Sequence, residues 1–396
     1  MSDLAGPAIP AEVLEIARTL EAAGYEAWCV GGALRDALLG HQHSDYDFAT
    51  SATPAQVTAL FRRTAPVGEK YGTVGVLDRH RVLHEVTTFR RDVATDGRHA
   101  VVAYGVSLDE DLARRDFTIN AIAYHPLRHE WRDPFGGRAD LERGVVRAVG
   151  VPAERFREDY LRILRAVRFA ARFGFGIEPA TWSAAVEASP GLLQLSAERV
   201  RDEWIKALRT ARSISELVGL WIGVGAAERW MPELAGVPAE RLARADAVPI
   251  DQRDPVLLTA LLVDEAAAVL RRLRASNAEL ERAAAMARGP AAPAGSDDRA
   301  VRRWLSTTGR AAHDLLALYA LRRGSEAPWA GSVGLIRQRG DPLVRGDLAV
   351  SGDDLRALGA TGRRIGELLA ALLDRVLDDP SLNRRDTLLT LARELM

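Results

Sequence analysis

An apolar run, Tyr25-Glu26-Ala27-Trp28-Cys29-Val30, leads into a glycine pair, Gly31-Gly32, and soon afterwards Asp45 and Asp47 flank Tyr46. The run reads as a buried strand, and two glycines at its end let backbone approach a ligand closely. A helix expected over 33–39 then aims unpaired N–H groups at an anion, and Arg35 in its first turns adds a charged fork for phosphate oxygens. Over 45–49 side chains alternate, so Asp45 and Asp47 share one strand face while Tyr46 and Phe48 turn to the core. Two hard carboxylates side by side suit magnesium. In a two-metal site, ions roughly 3.5–4 Å apart activate an attacking hydroxyl and neutralise a leaving pyrophosphate. Each half alone is ordinary, since glycine pairs often punctuate helices and Asp-X-Asp on a surface strand is usually solvated. Together they describe a magnesium-dependent site for transfer of a nucleoside monophosphate.

Other classes are disfavoured by what the chain lacks. Cys29 is the single cysteine, so neither a disulfide framework nor a cysteine-based zinc site can form, and its place in a core strand makes it a small buried hydrophobe. No apolar stretch reaches membrane-spanning length and the start, Met1-Ser2-Asp3-Leu4, lacks a secretory signal, so no membrane partner is expected and the cytoplasm is the expected location. Net charge is −1, so any RNA surface must be local; Lys70 and Lys206 are the only lysines, but the arginine excess reads as codon bias that also enriches alanine. His313-Asp314 has no partner histidines at metal-site spacing and reads as a solvated pair on a helix surface, while His84 reads as a packed strand histidine.

The pattern of the chain changes near residue 150. Before it, β-rich runs at 73–77, 82–89 and 145–149 alternate with helical segments such as 54–63, which Thr53 can cap and Pro54 can start. After it, helical periodicity dominates, over 154–173, 197–208, 214–222, 255–273 and 278–288. The run 289–298, rich in proline, glycine and alanine, is the one linker-like segment and marks the last domain boundary.

Further motifs follow in order: Gly72-Thr73-Val74, Glu85-Val86-Thr87-Thr88-Phe89-Arg90, the run from Asp111 through Arg114-Arg115-Asp116 to Ala121, and Glu158-Asp159-Tyr160-Leu161-Arg162 through Arg165 to Arg168-Phe169. With the glycine turn and the two aspartates, this set resembles the class II tRNA nucleotidyltransferase and bacterial poly(A) polymerase family. The resemblance is dense over 25–175 and looser downstream, where 261–277 is similar to the family's body. Gly352-Asp353-Asp354-Leu355 through Ile365-Gly366-Glu367 to Asn383 is similar to the tail of its long bacterial form. It implies an α/β polymerase-β-like nucleotidyltransferase head (1–150), followed by an all-α neck (151–210), body (211–288) and tRNA-binding tail (289–396).

Site residues follow from that resemblance. Asp45 and Asp47 become the catalytic, Mg²⁺-binding pair, with Gly31, Gly32 and Arg35 at the triphosphate. On the helix expected around 158–173, Arg162, Arg165 and Arg168 share one broad face; by periodicity alone this is a solvated stripe paired with Glu158 and Asp159. By resemblance, Asp159 and Arg162 read the Watson–Crick edge of the incoming base, Arg165 and Arg168 support them and the triphosphate, and Tyr160 is tolerated variation. Arg115 becomes a nucleotide contact, beside Asp116 as a holder of a ribose hydroxyl. A third carboxylate is either Glu85, on a neighbouring strand, or Asp116. Lys70 near Gly72 reads as an exposed turn residue.

One departure bears on specificity. In the family's flexible loop a tyrosine and an Asp-Gly-Arg-His-Pro-like run are usual, whereas here Asp96-Gly97-Arg98-His99 is followed by Ala100 and the tyrosine ahead of the run is absent. The leading expectation is an enzyme that adds or repairs the 3′-terminal C-C-A of tRNA from CTP and ATP without a nucleic-acid template. A specialist adding only C-C or only A, a poly(A) polymerase, and a non-catalytic RNA-binding relative stay open. The sequence sets no oligomeric state.

Overall fold

The computed structural model describes residues 6–41, 45–68, 72–95 and 100–396, so Lys70 and the run 96–99 lie outside the described residues. Two compact units make up the chain, Met1–Ala235 and Gly236–Met396.

A seven-stranded mixed sheet organises the start of the first unit. Its strands are β1 (Ala27–Val30), β2 (Asp47–Thr50), β3 (Thr64–Ala65), β4 (Thr73–Leu77) and β5 (Leu83–Thr88). After a separate hairpin, β6 (Arg90–Thr95) with β7 (Ala100–Tyr104), come β8 (Ala123–His125) and β9 (Glu130–Arg132), and the spatial order is β3-β4-β5-β2-β1-β8-β9. One face is covered by helices α1 (Ala11–Ala22) and α3 (Pro54–Leu60). Val13, Ile16, Ala17 and Leu20 fall on one side of α1 at helical spacing and bury against Tyr46, Phe48, Val74 and Val86. The inward half of the alternation therefore holds, with Tyr46 and Phe48 fully buried while Asp47 between them is not, but the strand begins at Asp47 and Asp45 lies ahead of it. Thr53 caps α3 in a capping box with Gln56, ahead of Pro54 at the first helical position.

Helix α2 (Gly31–Leu38) opens at the glycine pair itself, two residues earlier than its periodicity suggests. It is followed by α4 (Leu108–Ala113), α5 (Gly137–Arg143), the short parallel pair β10 (Val145–Val146) and β11 (Gly176–Ile177), and then helices almost throughout. The helix expected over 154–173 is two, α6 (Pro152–Glu158) and α7 (Leu161–Phe173). The break falls at Asp159, whose backbone is extended (φ −156°, ψ 106°) and whose Oδ1 accepts the Leu161 N–H at 3.0 Å, so a side-chain cap replaces a helical turn. Ile163, Ala166, Val167 and Ala170 of α7 are buried, and its Phe169 and Phe173 share a core with Leu34 of α2. Helices α8 (Pro179–Ala188), α9 (Ala197–Thr210), α10 (Ile214–Gly223) and α11 (Ala226–Trp230) complete the unit.

All the named elements of the second unit are helical: α12 (Ala239–Asp246), α13 (Pro255–Leu262), α14 (Ala266–Arg272), α15 (Asn277–Arg288), α16 (Asp298–Thr308), α17 (Ala312–Arg323), α18 (Ala330–Arg339), α19 (Gly352–Ala357), α20 (Arg363–Asp378) and α21 (Arg385–Leu395). The helix expected over 255–273 divides where Val263 turns extended (φ −126°, ψ 137°). The breaker-rich run is an irregular connection between α15 and α16 inside this unit, pinned where Trp304 Nε1 donates to the Pro290 carbonyl at 2.6 Å. Asp314 corrects the reading of a solvated pair: it is buried, and Arg282 grips both its oxygens at 2.9 and 2.6 Å, while His313 is exposed. Asn383 bridges the Ala349 N–H and the Asp347 carbonyl, holding a strap beside the Leu355, Leu368, Leu372 and Leu388 core.

Candidate active site

Strand register assembles the acidic side of the site. Antiparallel pairing sets Val30 opposite Asp47, so the glycine turn that follows β1 lies against the start of β2. Gly31 has φ +82°, and a Cβ there would sit 3.1 Å from Asp47 Oδ2. Both facts demand glycine, one through backbone conformation and one through space. On the other side β2 runs parallel to β5 with Phe48 beside Val86, which brings Glu85 level with Asp47 on the same face. Asp45 precedes the strand and is exposed.

These groups share an electrostatic field. Burial, then the negative charge of Glu85, push the Asp47 carboxyl up to about 7; Arg115 opposes the rise and Asp45 adds to it. A carboxylate held that high by burial and then by neighbouring negative charge is one that a divalent cation would relieve. Asp47, Asp45 and Glu85 offer only oxygen donors, which is the chemistry magnesium prefers, so these residues fit that ion. Among the described residues no group of three or more His, Cys, Asp or Glu side chains is already gathered as a metal cage.

A cleft of about 590 Å³ opens over Asp47 and Glu85, and its far wall is arginine-rich. Gly31, Gly32, Arg35, Arg115, Asp116, Asp159, Arg162, Arg165 and Arg168 all line it; Asp45 and Glu158 do not. Arg162 donates to Glu158 at 2.7 Å and to the Arg114 carbonyl at 3.1 Å, so Glu158 supports the wall from behind. Arg168 is tied to Glu203 at 2.6 Å.

Two residues stand differently from the simplest expectation. Arg35 is buried, its guanidinium lying about 5 Å from the Phe169 and Phe173 ring centres, with Nε donating to Asp36 at 2.8 Å and Nη1 to Asn120 at 2.5 Å. It anchors the cleft floor while bordering it. Asp116 has both oxygens engaged: Oδ1 accepts from the Phe117 N–H and Asn120 Nδ2, and Oδ2 from Arg165 at 2.7 Å. Burial alone would raise this carboxyl, but Arg165 and the hydrogen bonds outweigh it and hold it at about 2. Asp116 is thus held ionised between Asn120 and Arg165, whereas Glu85 lies next to Asp47.

Sequence reasoning missed several cleft residues. Arg199 of α9 donates to Asp159 Oδ2 at 2.7 Å from forty positions away, and no local pattern points to it. Asn120, which clamps both Arg35 and Asp116, sits four residues after Asp116 inside the Asp111–Ala121 motif, so a signal existed. Tyr160 does more than vary: its ring fills the space over Gly191, where no side chain would fit.

Sheet order, acidic strand pair and arginine wall define a nucleotidyltransferase head. A model described as the poly A polymerase head domain matches residues 27–147, and one described as a probable RNA and SrmB-binding site of polymerase A matches 174–236. The CCA-adding enzyme of Geobacillus stearothermophilus is 40% identical over 285 residues, 69% of each protein. That of Lactiplantibacillus plantarum is 48% identical over 207 residues, 52% of this chain and 50% of that protein, so the match spans about half of the relative's length. The crystal structure of the Bacillus stearothermophilus CCA-adding enzyme in complex with CTP superposes with a TM-score of 0.79 at 34% identity, covering 97% of this chain and 96% of that one. The chain belongs to the CCA-adding enzyme family of nucleotidyltransferases. The Thermotoga maritima enzyme complexed with tRNA shares the fold, with a TM-score of 0.64 at 20% identity.

Proposed function

We propose that this protein adds or repairs the 3′-terminal CCA of tRNA, using CTP and ATP and no nucleic-acid template. One observation carries the reading: Asp159 and Arg162 line the same cleft as Asp47 and Glu85, so a base reader and an acidic reaction centre face one volume. Asp159 spends two of about four lone-pair sites on Arg199 and the Leu161 N–H, leaving acceptors for an exocyclic amino group. Arg162 can donate to the ring nitrogen beside it. On their Watson–Crick edges cytosine and adenine both present an amino donor next to a ring-nitrogen acceptor, whereas guanine presents its amino group next to a ring N–H donor.

In the reaction the tRNA 3′-oxygen attacks the α-phosphorus, a P–O bond forms, the bond to the β-phosphate breaks, and pyrophosphate leaves as the hydroxyl loses its proton. Asp45 and Asp47 would hold Mg²⁺, which supplies charge neutralisation and activation of the hydroxyl. Arg115 and the N–H groups at Gly31 and Gly32 receive the triphosphate, Arg165 and Arg168 support the base reader, and the 289–396 tail grips tRNA. No described helix is long and apolar enough to cross a membrane, and the proposed substrates place the work in the cytoplasm.

The test is to offer labelled CTP and ATP, separately and together, to tRNAs lacking three, two or one terminal nucleotides. Completion of all three to CCA, absent in Asp45→Ala and Asp47→Ala, is expected. Growth of A tails, or C addition without A, would replace the reading by a poly(A) polymerase or a specialist.

A further inference from the structure

The cleft does not end at the carboxylates. Along the sheet it runs from the glycine turn after β1, across Asp47 on β2 and Glu85 on β5, to Thr87 on β5 and Thr73 on β4. Thr73 and Thr87 are register partners, their hydroxyls 3.0 Å apart. Arg90, just beyond β5, lines the same end. Beside it stands Tyr104, its partner in the β6–β7 ladder, a ring 41% exposed. This ring rests on Gly72, where φ is +82° and a Cβ would lie 2.6 Å from Tyr104 Cε1, so the bare glycine seats the aromatic one residue from the cleft-lining Thr73.

In-line displacement at phosphorus requires nucleophile and leaving group on opposite sides. With pyrophosphate leaving on the glycine-turn side, the attacking hydroxyl must come from the β4–β5 side. A stacking ring, a guanidinium and a pair of hydroxyls are the groups that hold a single-stranded nucleotide, through base, phosphate and ribose respectively. We propose that Tyr104, Arg90, Thr73 and Thr87 form the subsite for the 3′-terminal nucleotide of the RNA acceptor, with its base on Tyr104 and its 3′-hydroxyl towards Glu85. Because Tyr104 touches one face of any base, the subsite accepts C or a discriminator nucleotide alike. The proposal rests on the nucleotidyl-transfer reading above.

The test compares Tyr104→Leu, which keeps apolar volume on Gly72 but loses the π face, with Tyr104→Phe, which keeps both. Loss of stacking should raise KM for a tRNA ending in CC by about ten-fold in the Leu variant, with KM for ATP within about two-fold of wild type and Phe near wild type. An acceptor RNA with 2-aminopurine as its last base should be quenched on binding wild type and Phe but not Leu. Equal KM for RNA in wild type and Leu, or a parallel rise in KM for ATP, overturns the subsite. If wild type itself extends no RNA, the functional reading fails instead, and the quenching experiment still decides whether Tyr104 meets an RNA end.

Discussion

Replacing Asp47 by asparagine should abolish incorporation and yet stabilise the metal-free protein above neutral pH. In the folded state this carboxyl titrates at about 7 instead of 3.8, because it is buried and faces Glu85. Between those values the unfolded chain has released the proton that the folded chain still holds. The unfolded state therefore binds fewer protons, and stability falls as pH rises, reaching its full loss above about 7. At about 1.4 kcal/mol per pH unit the rise amounts to about 4 kcal/mol, an upper bound because water reaches part of the side chain. The substituted amide would be neutral throughout and escape this penalty. Urea unfolding of the first unit's sheet, followed by amide exchange in β2 and β5 with EDTA present, should show wild type and Asp47→Asn alike near pH 4. At pH 8 the variant's midpoint should be higher by roughly 1–2 M for an m of about 2–3 kcal/mol/M. Added Mg²⁺ should recover wild type far more than the variant. An equal offset at both pH values, or a less stable variant at pH 8, would refute the crowding of charge on which the metal assignment is built.

Asp159→Ala and Arg199→Ala should both relax the choice of C and A over U and G by about ten-fold or more, since each breaks a charge-assisted hydrogen bond that orients the base reader. Single-nucleotide misincorporation ratios measure this, and a uniform loss for all four triphosphates would count against base reading. Gly31→Ala forces a side chain into a left-handed backbone position and to within 3.1 Å of Asp47 Oδ2. It should lower kcat by about a hundred-fold with a thermal midpoint only a few degrees lower, and unchanged turnover would show that the close approach is not needed.

Short-range features of this protein were present in its sequence. Alternation alone turns Tyr46 and Phe48 inward and leaves Asp47 facing the cleft, and Thr53-Pro54 with Gln56 starts a helix wherever the chain allows one. These depend on contiguous backbone, whose periodicity and caps are local properties. What tertiary structure decided was which distant groups meet. Parallel pairing of β2 with β5 set Glu85 beside Asp47, and a contact across forty-nine positions paired Asp116 with Arg165. The turn at Asp159 hides inside an otherwise helical pattern, because its own carboxylate caps the Leu161 N–H while Arg199 on a separate helix holds the other oxygen. Charge partners across such separations are chosen by strand register and helix packing, and no spacing along the chain encodes them.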